Sequence, residues 1–101
     1  MENKLPLALK VNDLDNVATL FSNEGKAGCE VEVKDKKGES FTLCLSNDIP
    51  YGHKLALCEI KPGEDVTKYG ECLGAATKVI APGEHVHVHN LDSKRGRGDM
   101  A

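Results

Sequence analysis

The chain has 101 residues, of which 40% are hydrophobic and 29% charged, with a formal net charge of −3. This length fits one small domain burying roughly 65% of its unfolded surface, too little for a core and a deep enclosed active site together. The slight negative charge predicts no general affinity for nucleic acid or an anionic membrane.

The first twenty residues indicate neither a signal peptide nor a membrane-spanning segment. Their apolar patch, at residues 5–9, is short and interrupted by Pro6, and charged residues follow it immediately. No small-residue cleavage pattern accompanies the patch. We therefore expect a cytoplasmic protein.

The segment at residues 13–22 is the best candidate for a helix. An aspartate near its start would cap the helix N-terminus. Its apolar residues recur at helical spacing, at Val17, Leu20 and Phe21, and would pack into the core. We expect at most this one short helix.

Strand patterns dominate the rest of the chain. Apolar residues alternate with their neighbours over residues 31–34, 41–45, 54–60 and 85–89. The loop between the first two of these segments contains Gly38, which predicts a hairpin connection.

A short internal repeat marks two tight turns. The segment 60–66, IKPGEDV, recurs twenty residues later at 80–86 as IAPGEHV. Pro-Gly at the centre of a four-residue turn favours type II, because Pro fixes φ at the first central position and Gly accepts a positive φ at the second. We predict positive φ at Gly63 and Gly83, with the two turns paired within one β domain.

The four cysteines sit about fifteen residues apart, without a C-x-x-C pair. This spacing disfavours a zinc or iron–sulfur site built on cysteine. We expect four free thiols, most of them buried as small hydrophobic side chains.

Three histidines at alternate positions are the most distinctive feature of the chain. In a strand, His85, His87 and His89 would line one face while Val86 and Val88 line the other. Imidazole groups ligate metals and transfer protons near neutral pH, so this face is a candidate site. The alternative is a solvated strand face whose valines pack inward.

Four motifs together resemble a known family. They are LDNVA at 14–18, IPYGHKLAL at 49–57, VTKYGECLG at 66–74 and IAPGEHVHVHN at 80–90. This set resembles the SAF domain of the altronate and galactarate (sugar-acid) dehydratases over nearly the whole chain. The resemblance implies a mostly-β single domain of β-clip fold, with short strands and long hairpins. We place this domain at residues 1–91 and a flexible tail at 92–101.

The resemblance also implies a function. In that family the SAF domain is fused to a much larger catalytic domain or encoded as a separate small subunit. Because the chain ends eleven residues after Asn90, we expect a small subunit that works with a large catalytic subunit. The implied reaction is a hydro-lyase step, β-elimination of water from a sugar acid to give a 2-keto-3-deoxy acid.

Candidate metal ligands follow from the same resemblance. His85, His87 and His89 would hold a divalent metal such as Fe²⁺, either in the isolated chain or only in complex with the large subunit. Imidazole nitrogen suits such a metal better than the isolated cysteines do.

The resemblance gives four further residues catalytic roles. His53 would join the histidine strand from another part of the chain, and Tyr69 would donate a hydrogen bond. Lys54 or Lys68 would neutralise the carboxylate of the substrate.

Two alternatives without catalysis stay open. The chain would then be a carbohydrate-binding module or an oligomerisation module, and activity of the large subunit without this chain would favour either one. For the isolated chain we also predict a homo-oligomer, because strand edges in small β domains invite pairing, and no dehydratase turnover.

Overall fold

The computed structural model describes residues 5–93, and this part of the chain is all β. Its strands are β1 (Leu7–Lys10), β2 (Val17–Leu20), β3 (Glu30–Asp35), β4 (Ser40–Cys44), β5 (Lys54–Ala56), β6 (Asp65–Lys68), β7 (Glu71–Ala76), β8 (His85–Val86) and β9 (Leu91–Ser93). A six-stranded sheet has the order β4-β3-β1-β2-β5-β8, and a three-stranded sheet has the order β6-β7-β9. The prediction of a mostly-β single domain of β-clip type is confirmed. Within residues 5–93, no helix has the length and apolar character needed to span a membrane.

The helix predicted at residues 13–22 is wrong. Residues 13 and 14 form a turn, and Val17–Leu20 is the strand β2. All four residues of β2 are buried, because the strand lies between β1 and β5 and is covered on both faces. A strand covered on both faces has a continuous apolar run, which periodicity alone does not separate from a helix.

The hairpin predicted around Gly38 is confirmed. Strands β3 and β4 pair antiparallel, with Val31 opposite Leu43, and Gly38 adopts a φ of 90° in the connecting turn. Inward-facing residues of this sheet form the first of two core clusters. Its buried members are Ala8, Ala18, Leu20, Val31, Val33, Leu45, Ile49 and Leu55.

Residues 54–86 form one long, bent antiparallel hairpin that joins the two sheets. Its outer arms, β5 and β8, belong to the six-stranded sheet, and its inner arms, β6 and β7, belong to the three-stranded sheet. Midway along it, Ile60 and Ile80 exchange two backbone hydrogen bonds, of 2.9 and 2.8 Å. The two copies of the sequence repeat therefore run antiparallel to each other.

The two Pro-Gly turns bend this hairpin, as the repeat predicted. Gly63 and Gly83 have φ values of 88° and 82°. In the first turn the Glu64 N–H donates to the Lys61 carbonyl oxygen at 2.9 Å, and the second turn makes the equivalent bond at 3.0 Å. Both turns therefore have the hydrogen bond and the positive φ that type II requires.

A second core cluster fills the bend of the hairpin. Its buried members are Val17, Ala56, Ile60, Val66, Ala76, Ile80 and Val86. Because both arms of the hairpin contribute to it, this cluster fixes where β5 and β8 lie, and with them the histidines.

Two predictions about strand length and cysteine burial need correction. β5 ends at Ala56, well before residue 60, because the hairpin bends there toward the second sheet. The cysteines are free, but Cys44, Cys58 and Cys72 are exposed and Cys29 is only partly covered. Alternation along a strand does not tell which of its faces is packed, and Cys44 lies on an edge strand.

Strand β9 lies in the segment for which the sequence predicted a tail. It pairs antiparallel with β7, with Leu91 opposite Ala76. Strand pairing thus continues two residues past the predicted boundary at residue 91. Residues 94–101, the remainder of the predicted tail, lie outside the described residues.

Candidate functional site

Two arms of the long hairpin bring the histidines together. In the antiparallel β5–β8 pair, Lys54 lies opposite Val86 and Leu55 lies opposite His85. Continuing this register places His53 opposite His87, and both side chains on the sheet face that carries His85. Residues 32 positions apart in the chain thereby become neighbours.

Three of the imidazole rings form a compact group. The Nδ1 atom of His53 lies 2.9 Å from the Nε2 atom of His85, which is a hydrogen bond between the two rings. The ring of His87 stacks on that of His85, with centroids 5.5 Å apart, and its centroid lies 4.8 Å from that of His53. One nitrogen from each of the three rings lies within 4.8 Å of the others.

The strand predicted over residues 85–89 is shorter than the alternation suggested. β8 ends at Val86, and residues 87–90 form a turn in which the Asn90 N–H donates to the His87 carbonyl oxygen at 3.0 Å. Val86 is buried as predicted, whereas Val88 is 81% exposed. His89 lies outside the compact group, although its ring centroid is 5.5 Å from that of His85.

The side chain of Asn90 holds this turn in place. It is fully buried, its Oδ1 atom accepts a hydrogen bond from the His87 N–H, and its Nδ2 atom donates to the His85 carbonyl oxygen, both at 2.9 Å. The His85 N–H in turn donates to Oδ1 of Asn47 at 2.9 Å. Two asparagines therefore fix the backbone that carries His85 and His87.

A second turn positions His53. The His53 N–H donates to the Pro50 carbonyl oxygen at 3.1 Å, and Gly52 between them has a φ of 83°. The Gly52 N–H donates to the carbonyl oxygen of Leu20, and the Leu20 N–H donates to that of His53. The turn is thus fastened to the end of β2, which sets His53 at the start of β5.

The environment of His85 favours its neutral form. Burial is the largest cause, and His53, His89, His87 and Lys54 add to it electrostatically; together they lower the pKa of His85 to about 4. At neutral pH this imidazole is uncharged. It can then offer a nitrogen lone pair to a metal without losing a proton.

The two lysines predicted to be catalytic lie close to each other. Burial, followed by the positive charge of Lys68, lowers the pKa of the Lys54 ammonium. Lys68 lies on β6, two residues after the buried Val66, and the strand pairing shifts register between Val66 and Thr67. The ion pair between described residues joins Lys37 to Asp13, so no described carboxylate forms a salt bridge with Lys54 or Lys68.

Tyr69 occupies the tip of the long hairpin, in an unusual backbone conformation. Tyr69 and Gly70 have φ values of 56° and 78°, as in a type I′ turn, where Asn-Gly is the preferred pair. The Gly70 N–H donates to Oδ1 of Asp15 at 2.8 Å, which fastens the tip to the loop before β2. The Lys68 Nζ atom lies 4.7 Å from the centroid of the Tyr69 ring.

The structure thus brings together some of the predicted residues and not others. His53, His85 and His87 converge, and His89 lies beside them. Lys54 acts electrostatically on His85, whereas Lys68 and Tyr69 contact each other at the hairpin tip. Sequence reasoning gave no role to the supporting residues Asn47, Asn90 and Asp15. Asn90 and Asp15 had a signal, since they lie in the motifs IAPGEHVHVHN and LDNVA, whereas Asn47 had none.

The three converging imidazoles fit a single small cation. Two nitrogens that share a tetrahedral zinc ion with bonds of about 2.0–2.1 Å lie roughly 3.4 Å apart. In the structure the nitrogen–nitrogen distance is 2.9 Å between His53 and His85, and no distance within the group exceeds 4.8 Å. The value for a shared zinc ion lies between these two distances. Imidazole nitrogen suits Zn²⁺, Fe²⁺ and related ions as a ligand.

Nearly the whole chain matches a known family. Residues 6–94 match the profile of the altronate/galactarate dehydratase SAF domain. The chain belongs to this SAF-domain family. All four motifs that suggested the resemblance lie within the matched residues.

Three relatives illustrate the range of the family. The chain is 42% identical over 82 residues to altronate dehydratase of Escherichia coli K12, and 35% identical over 80 residues to its galactarate dehydratase (L-threo-forming). These matches cover 81% and 77% of the chain but only 15% and 14% of the two dehydratases. The chain is also 46% identical over 55 residues to the (2R)-sulfolactate sulfo-lyase subunit alpha of Paracoccus pantotrophus, covering 54% of the chain and 82% of that subunit.

Proposed function

We propose that this SAF domain is the small component of a sugar-acid hydro-lyase of the altronate dehydratase type. A separate large catalytic chain completes the enzyme, and the product is a 2-keto-3-deoxy acid. The isolated domain has no turnover, because a domain of this size does not enclose a sugar acid.

The convergence of three imidazoles on one exposed face carries this proposal. The relatives are dehydratases and a subunit of a sulfo-lyase. We take both reactions to be β-eliminations, in which a hydroxy acid loses a proton from its α carbon and a leaving group from the neighbouring carbon. Removing the proton α to a carboxylate creates a dianionic intermediate that needs positive charge nearby. The histidine group and the adjacent lysines offer both a cation site and fixed charge.

Each residue has a part in the proposed site. His53, His85 and His87 would hold a divalent metal such as Fe²⁺, which would stabilise negative charge that develops on the substrate. Lys54 and Lys68 would bind the substrate carboxylate.

Two exposed residues complete the proposed site. His89, outside the compact group, would exchange a proton with the substrate. The Tyr69 hydroxyl would donate a hydrogen bond to a substrate oxygen.

Reconstitution with the large chain tests the proposal. The domain and the large dehydratase chain of the same organism are purified separately and together, and each sample is assayed for 2-keto-3-deoxy acid formation from a panel of sugar acids with added Fe²⁺. We expect turnover from the pair only. Full activity of the large chain alone would instead assign this domain to carbohydrate binding or oligomerisation.

A further inference from the structure

Exposed apolar side chains border the histidine group on two sides. Val88 projects from the turn between His87 and His89 and is 81% exposed. Tyr51 precedes His53 by two residues and is 56% exposed. Its ring meets that of Phe21, itself 40% exposed, edge to face with centroids 6.1 Å apart.

These exposed side chains neighbour the imidazoles through ring contacts, a fastened turn and chain adjacency. The turn that carries Tyr51 is hydrogen-bonded to the end of β2, immediately before Phe21, so the aromatic pair lies beside His53. The His53 ring contacts that of His87, and Val88 is the next residue. We call this surface the histidine face; it consists of Phe21, Tyr51, His53, His87, Val88 and His89.

The composition of the histidine face is that of an interface centre. Isolated exposed apolar residues are ordinary on soluble proteins, but aromatic and aliphatic side chains grouped around polar groups mark binding surfaces. The face also lies along β8, which is an edge strand of the six-stranded sheet in the described residues. An edge strand leaves backbone groups available to a partner.

We infer that the histidine face is the surface on which the large catalytic chain of the lyase docks, with Tyr51 and Val88 as apolar anchors. This inference rests on the proposed function. The choice of occupant rests on size, because the domain matches only 15% of altronate dehydratase and most of that enzyme lies outside the part that resembles this chain. Docking there would also cover the imidazoles that are open to solvent in the domain alone.

Matched substitutions test the inference. Val88→Asp and Tyr51→Ser alter the histidine face, whereas Val79→Asp alters another exposed valine, 53% exposed, in the connection after β7. Phe41→Ser is the control for the aromatic residue; Phe41 is 46% exposed on β4, the opposite edge of the same sheet. Affinity for the purified large chain is measured by isothermal titration calorimetry, and Zn²⁺ affinity is measured on each isolated variant.

We expect Val88→Asp and Tyr51→Ser each to weaken binding of the large chain at least tenfold, with both controls near the parent. Zn²⁺ affinity of Val88→Asp should match the parent, which would separate docking from metal binding and from misfolding. If the parent binds the large chain and both face variants bind it equally well, the inference is overturned. If the parent does not bind it at all, the proposed function fails instead.

A second copy of the domain is the competing occupant. Light scattering on the isolated parent and on Val88→Asp measures the oligomeric state of each and so detects this self-association. A parent dimer that the substitution converts to a monomer would overturn the large chain as the occupant, whereas an unchanged oligomeric state would support it.

Discussion

Nδ1 of His53 and Nε2 of His85 share a 2.9 Å hydrogen bond, although the two residues are 32 positions apart in the chain. One of the two nitrogens carries the proton in this bond, and a metal ion bound to both nitrogens would require that ring to hold its proton on its other nitrogen. Metal and proton therefore compete for the same pair of nitrogen atoms.

The first prediction is that Zn²⁺ affinity depends on the compact group of His53, His85 and His87, and much less on His89. His53→Ala and His87→Ala should each lower Zn²⁺ affinity by more than the roughly 10–100-fold that loss of a ligand's hydrogen-bond partner costs. His89→Ala should have a much smaller effect, because its ring lies outside the group. Titration of the isolated domain with Zn²⁺, followed by calorimetry, measures all three. Loss of affinity in His89→Ala equal to that in His53→Ala would contradict the grouping.

The second prediction concerns the buried asparagine below the turn. Asn90→Ala removes an acceptor for His87 and a donor to His85. It leaves two partly buried backbone groups without their side-chain partner, at a cost of up to about 1–3 kcal/mol in the free energy of unfolding. Asn90→Asp keeps the acceptor and should lose less. Urea denaturation checks this, with Asn47→Ala as a control on an exposed asparagine that accepts a single bond from His85.

The third prediction is a pH dependence of stability in the metal-free domain. The pKa of His85 is lowered from 6.5 to about 4, mainly by burial. Between these values the unfolded chain binds a proton that the folded domain does not bind at His85. The stability that depends on neutral His85 is fully present above about pH 6.5 and is lost as the pH falls toward 4.

Denaturation at several pH values between 7 and 4 tests this dependence. The midpoint for the parent should fall with pH across this window, and His85→Gln should flatten the decline. Identical slopes for the two proteins would show that His85 does not titrate differently in the folded and unfolded states.

How far the sequence predicts this molecule depends on the kind of pattern involved. The Pro-Gly repeat predicted both turns, because each residue has one strong backbone preference. The buried β2 was taken for a helix, because Val17, Leu20 and Phe21 fit helical spacing. In the structure all four residues of the strand are buried, including the polar Thr19. The stop after Val86 could not be predicted from alternation, since it depends on a hydrogen bond from the buried Asn90.

In the candidate site, too, some features could be predicted from the sequence and others depend on tertiary contacts. The resemblance suggested that His53 joins the histidine strand, and His53 lies beside His85 and His87. No local pattern could reveal that His89 lies outside the group, because its position depends on the turn that Asn90 holds.

The fourth prediction concerns strain at the hairpin tip. Tyr69 has a φ of 56°, a left-handed conformation that costs a residue with a bulky side chain about 1–2 kcal/mol. Asparagine adopts this conformation more readily, so Tyr69→Asn should raise stability by up to about 1 kcal/mol. Tyr69→Phe should leave stability unchanged. In the reconstituted enzyme both variants should lose activity, since both lack the phenol hydroxyl. A fully active Tyr69→Asn enzyme would show that catalysis needs neither this hydroxyl nor the strained backbone at residue 69.

The fifth prediction compares equivalent glycines of the two repeat copies. Alanine at Gly63 meets open space, so only the positive φ opposes it, at about 1–2 kcal/mol. At Gly83 an added Cβ would collide with the carbonyl oxygen of Cys44, which should cost about 1–3 kcal/mol more. Thermal denaturation of Gly63→Ala and Gly83→Ala measures the difference. Equal destabilisation would mean that the backbone at Cys44 yields easily.

The antiparallel pairing of the two repeat copies gives the hairpin a local pseudo-two-fold symmetry. The Gly63 N–H donates to Ala76 and the Gly83 N–H donates to Ala56, both at 2.8 Å, so the two bonds are equivalent under a shift of twenty residues. The side chains do not keep this symmetry, because the counterpart of His85 is Asp65 and the counterpart of His87 is Thr67. Two equivalent ends of one backbone framework therefore carry different chemistry: imidazoles at one end, and at the other the tip whose Gly70 N–H reaches Asp15.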